Sequence, residues 1–171
     1  ILILQRHHIM LHENSINKKY VLFIGILTFC GLLFLCNQFY LEQTVFIDMA
    51  YHVFVLAQSK WFGIQKYRYG AAFSQILPLT ALKWNLPLVW VLKVYSFSFY
   101  ICYLIYFLIL VLWLKQEALA LLLLLCLVII TSHVFYWPAT ELVHGIAFLI
   151  LTLGVISTFC KTNQWPVWKI T

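Results

Sequence analysis

From Tyr20 to Tyr40 the chain reads YVLFIGILTFCGLLFLCNQFY, without one charged side chain. At 1.5 Å per residue, roughly 21 residues of helix match the ~30 Å thickness of a bilayer's hydrocarbon layer. A backbone crossing lipid must satisfy its own hydrogen bonds, which admits only helices and closed barrels. The run is continuous rather than alternating, so a helix is expected. It is too long for an ordinary cleaved signal peptide and lacks the small-residue cleavage site. Composition extends the conclusion to the whole chain. Hydrophobic residues make up 64% and charged residues 9%, with a mean hydropathy of +0.95, against about 25% charged in soluble domains. The fold class expected is an all-α polytopic membrane protein.

Three further runs are long enough to cross. They are PLVWVLKVYSFSFYICYLIYFLILVLWL (87–114), a run from about Ala118 to Tyr136, and one from Thr140 to about Cys160. That makes about four spans in a membrane domain of residues 20–160. Residues 1–19 form an N-terminal segment and 161–171 a tail. Met10 heads what resembles a natural membrane-protein start, so residues 1–9 are left out of the fold reading, with a non-native origin the expectation.

Residues 41–86 are mixed and form an outer loop. Phe46, Met49, Ala50, Val53, Phe54 and Ala57 recur at helical spacing, leaving Asp48, Tyr51, His52 and Ser59 on other faces. Such a stripe predicts a helix lying in the membrane interface. The piece GAAFSQILPLTAL, residues 70–82, is too short to span. It predicts a second interfacial or re-entrant helix.

Eleven Lys and Arg stand against five Asp and Glu. Most flank apolar runs, where orientation and anionic lipids account for them and nucleic acid is not implied. Arg6, Lys18, Lys19, Lys115, Lys161 and Lys169 fall on one side of the four-span topology. Lys60, Lys66, Arg68 and Lys83 fall on the other. The excess favours a cytoplasmic N-terminus. The five cysteines lie inside apolar runs without a CxxC pair and read as small packing residues.

The same topology gathers the ionisable residues Asp48, His52, Arg68, His133, Glu141 and His144 on the outer side. Asp48 is the candidate catalytic residue, because a carboxylate at a membrane boundary is costly and marks function by default. It could take a proton from an incoming hydroxyl or cap its own helix. His52 follows one turn later and could contact that carboxylate or a substrate phosphate. In KYRY, residues 66–69, Lys66 and Arg68 suit phosphate binding, Arg bidentately, or anchor the loop to lipid. Glu141 and His144, three apart, could contact a polar substrate. A divalent metal is the alternative there; otherwise no cofactor is expected. No glycine-rich phosphate loop, HExxH or GxSxG occurs.

A first span, an acidic residue close behind it in an outer loop, interfacial helices and then further spans resemble the amino-terminal part of the C-type (GT-C) glycosyltransferases. The stretches FIDMAYHVFVLAQSKWFGIQKYRYGAAFSQILPL and FYWPATELVHGIAFL are similar to bacterial membrane proteins grouped near these enzymes. The resemblance covers roughly residues 18–160. It implies sugar transfer from a polyprenyl-phosphate donor to a lipid, glycan or protein acceptor at the outer face of a bacterial inner membrane. Asp48 matches the loop acid that acts as base or positions the acceptor, and Arg68 would contact the donor phosphate. Two departures stand out. Asp48 is followed by Met49 where many members carry a second acid, and about four spans replace seven or more. The chain is therefore expected to be a fragment or a truncated relative. The rival expectation is a non-enzymatic scaffold or assembly subunit that binds lipid or partner helices. A transporter would want ionisable groups near the bilayer midplane, and only Lys93 comes close.

Overall fold

The computed structural model describes residues 17–45, 47–64, 69–136 and 141–162, all of them helix, turn or irregular, with no strand. Seven helices follow in order. They are α1 (Lys18–Gln38), α2 (Tyr40–Val45), α3 (Ile47–Ser59), α4 (Ala71–Lys83), α5 (Leu88–Leu108), α6 (Glu117–Val134) and α7 (Glu141–Thr162). A π-helical turn, Ile109–Trp113, lengthens α5. Three stretches are long and apolar enough to cross a membrane: Lys18–Gln38, Leu88–Trp113 and Val143–Cys160. The expected third span, α6, has 18 residues, which reach about 27 Å, and its apolar part is Glu117–Ser132.

The main core forms where α1, α5, α6 and α7 meet. On α1, Val21, Gly25, Phe29, Leu32 and Cys36 recur every three or four residues and are buried, the stripe expected of a packed helix. They face Phe99, Tyr100, Tyr103, Phe107 and Leu110 of α5, with Leu123 and Leu127 of α6 and Ala147 and Ile150 of α7 closing the cluster. Gly25 is what allows α1 so near. A Cβ there would run into the Phe107 ring. The outer faces of α1 and α7 expose Phe23, Leu27, Phe34, Leu149 and Ile156, the surface left for lipid.

With its π-helical turn α5 runs for 26 residues, longer than α1 or α7. Gln43, just past α1, meets Ser96 and the Phe135 carbonyl beyond α6. Tyr103 donates to Val143 at the start of α7. The first turns of α5, before Ser96, therefore overhang the bundle by roughly 10 Å. Around that overhang fold α2, α3 and α4, forming a cap with a second, smaller core of Met49, Leu56, Leu79 and Tyr95. The described part of residues 41–86 is thus a helical cap. Its helix α4 turns back antiparallel along α5, so that the Cys102 thiol donates to the Phe73 carbonyl and Phe73 meets Phe148 of α7. The short apolar piece does not cross; it returns.

One expectation on α3 changes. The apolar residues divide between two faces: Met49, Val53 and Leu56 pack inward, whereas Tyr51 and Phe54 stay exposed. A helix backed by a core on one side and lipid on the other needs both faces apolar, so the single stripe read from spacing does not describe it.

Candidate functional site

The cap end holds most of the ionisable residues singled out by the sequence. Asp48 is the second residue of α3 and Glu141 the first of α7, and both side chains lie outside the described set, as does that of His133 in α6. Lys66 and Arg68 fall outside the described residues altogether. The two candidate histidines are placed.

His52 shares the inward side of α3 with Met49 and Leu56 rather than lying on a separate polar face. Its Nδ1 is buried without a hydrogen-bond partner, and its ring meets Tyr51 edge-on at 6.1 Å. His144 is fully enclosed. The rings of Phe99, Tyr103 and Tyr106 surround its imidazole at 5.4, 6.1 and 6.4 Å, and neither ring nitrogen has a partner. The spacing of Glu141 and His144 suggested a shared polar face at the membrane edge. Instead His144 turns into the bundle, because α7 presents it to the aromatic stripe of α5.

The strongest polar constellation went unread in the sequence. Gln43 is wholly buried on α2. Its Nε2 donates to the Phe135 carbonyl at 3.0 Å, and its Oε1 accepts from the Ser96 hydroxyl. Cys36 and Tyr100 border the same amide. Three segments therefore converge on one side chain of a fourth at the seam between cap and bundle. The available signal was a glutamine between apolar runs, with Ser96 and Tyr100 one turn apart on α5.

Two further fixtures hold the cap. Gln75 of α4 pairs with Gly63 in both directions, its Oε1 accepting from the Gly63 N–H at 2.7 Å and its Nε2 donating to the Gly63 carbonyl at 3.3 Å. That bond set ties the segment after α3 to α4. Lys93 lies with Nζ 5.1 Å from the Tyr40 ring centre and 5.5 Å from that of Trp90. A cation against two aromatic faces is attracted by their quadrupoles. The sequence singled out Lys93 only as the ionisable residue that comes closest to a bilayer midplane.

Among the described residues no three His, Cys, Asp or Glu side chains gather into a metal site. A groove between α4 and α5 has a volume of about 330 Å³ and an almost wholly apolar lining. The described cap is thus an aromatic platform carrying Lys60, Lys83 and Lys93 at one end of an apolar bundle. No family model matches the chain, and neither a curated protein nor a solved structure does.

Proposed function

We propose that the chain is the membrane-embedded part of a glycosyltransferase of the polyprenyl-phosphate-dependent, GT-C-like kind. The cap would stand on the outer face of a bacterial inner membrane and the N-terminus in the cytoplasm. One observation carries the reading. An acid-bearing helix, α3, begins one short helix behind the first span and packs with α4 onto the overhang of α5. A carboxylate borne on a fixed helix at the bundle end is suited to orient an acceptor hydroxyl or take its proton. Lys66 and Arg68, in the segment joining α3 to α4, would steady the departing polyprenyl phosphate. Its release needs charge compensation more than covalent help.

The test is sugar transfer from a labelled polyprenyl-phosphate donor in membranes that contain the chain. Asp48→Asn should lower transfer by at least about 100-fold, the span of one acid–base group, with membrane insertion unchanged. Equal transfer by that variant removes Asp48 from the mechanism.

A second reading, an assembly subunit, is favoured by α7. Only 28% of its apolar window is buried, and a Cβ at Gly145 would meet open space. Small residues on a lipid-facing helix admit a partner helix at short distance. Crosslinking through a cysteine placed at Gly145 decides it: adduct formation with another membrane protein supports the subunit reading, and lipid adducts alone refute it.

A further inference from the structure

The groove between α4 and α5 runs from Trp84 and Leu86 at the turn joining the two helices down to Ile101. Its lower end is level with the contact between Cys102 and Phe73. That depth lies below the Gln43 seam, where α1 and α6 are both present and the surroundings are apolar. Its upper end lies at the tip of the cap. The groove thus leads from hydrocarbon depth to the polar margin, the path of one lipid chain.

The lining says what kind of molecule fits. Thr80 spends its hydroxyl on the Leu77 carbonyl at 2.7 Å, and the remaining walls are aliphatic or aromatic. A peptide or sugar would lose hydrogen bonds there without replacement, whereas a hydrocarbon chain loses none. Charge says which headgroup. From Met49 to Gln116 the sequence contains no Asp or Glu, so neither wall carries a carboxylate. Lys83, exposed, ends α4 beside Trp84. Trp84 itself is 77% exposed, as expected of an indole at the headgroup level.

We propose that this groove holds one acyl chain of an anionic bilayer phospholipid, its phosphate over Lys83 and its methyl end toward Ile101. The site is separate from the Asp48 chemistry and stands without it.

The whole chain is reconstituted in vesicles whose phosphatidylglycerol or phosphatidylcholine carries brominated acyl chains, bromine being a contact quencher of indole. The Trp84 signal is the difference between the native chain and Trp84→Phe. Brominated phosphatidylglycerol should quench that signal at roughly one-fifth the mole fraction needed with phosphatidylcholine, the worth of one lysine at an anionic surface. Lys83→Glu should erase the preference, and Thr80→Phe, which fills the groove from its exposed side, should remove the quenching. Circular dichroism confirms that both variants are folded. Asp48→Asn should leave the quenching as it was, so this proposal and the transferase reading fail separately. Equal quenching by the two lipids overturns the assignment, as does a preference that survives both variants. Displacement of the brominated phospholipid by traces of polyprenyl phosphate would also overturn it, giving the groove to the donor instead.

Discussion

Replacing Gln43 by leucine tests whether the cap is fixed to the bundle by a polar seam. The side chain is fully buried and makes two hydrogen bonds, one from Ser96 and one to the Phe135 carbonyl. Leucine keeps the bulk but strands both partners. The Ser96 hydroxyl is itself fully buried, so leaving it unpaired costs about 1–3 kcal/mol. Phe135 is only partly buried, so its carbonyl should add less than about 1 kcal/mol. Side-chain hydrogen bonds measured inside membranes average only about 0.6 kcal/mol, which pulls the total to about 2 kcal/mol. Ser96→Ala alone strands one Gln43 oxygen and should cost about 1 kcal/mol. The double variant, Gln43→Leu with Ser96→Ala, leaves only the Phe135 carbonyl stranded and should cost about 1 kcal/mol rather than the sum of about 3, a coupling near 2 kcal/mol. Reversible unfolding in mixed detergent micelles measures all three. Strict additivity would mean that the two side chains do not interact and that the seam is held by packing alone.

Gly25→Ala places a methyl group against the wholly buried Phe107 ring and should lower stability by about 1–3 kcal/mol; Phe107→Leu should restore part of it, and an unchanged midpoint for Gly25→Ala refutes the close approach. His144→Phe removes two unpartnered nitrogens from an aromatic nest and should be neutral or stabilising by about 1 kcal/mol. A drop in sugar transfer with that stability retained would give His144 a functional role that the enclosure alone does not require. Lys115 adopts a φ of 52° just after the π-helical turn, a left-handed conformation that costs a side-chain-bearing residue about 1 kcal/mol. Lys115→Gly should therefore raise the melting midpoint, and a fall would assign the lysine side chain a contact of its own.

Much of the fold was legible because each crossing helix had to be an unbroken apolar run, and YVLFIGILTFCGLLFLCNQFY admits little else. The short piece expected at 70–82 forms as Ala71–Lys83, since thirteen residues can pack on a membrane helix but not cross with it. What spacing could not supply was the partner of each face. Phe54 and Leu56 look equivalent on α3, yet Leu56 meets Leu79 and Tyr95 while Phe54 faces outward. Gln43 stands in LEQTV, which in isolation reads as a solvated linker. Only the return of α5 past the end of α1 buries it. The same overhang explains Lys93, whose amine lies against the Tyr40 and Trp90 rings. Of the residues proposed for chemistry, His52 and His144 are placed, and both lie in apolar company. Asp48, Lys66, Arg68 and Glu141 depend on side chains that lie outside the described set.

The position of the seam limits how such a protein could work. Both cores share α5: Tyr95 belongs to the cap and Phe99 to the bundle, with Ser96 between them. Tilting the cap against the bundle would break both bonds of Gln43 and slide Phe39 off Phe135, whose rings meet edge-on at 5.9 Å. Orphaning buried polar groups at a membrane boundary is costly, so a hinge at this point is disfavoured. The groove between α4 and α5 runs along this shared frame, with its foot at the depth of Ile101 and its head at Trp84, beside Lys83. Its two walls keep their spacing only while the cap stays fixed on α5, so a variant that loosens the Gln43 seam should weaken retention of the proposed phospholipid in that groove, although Gln43 does not line it.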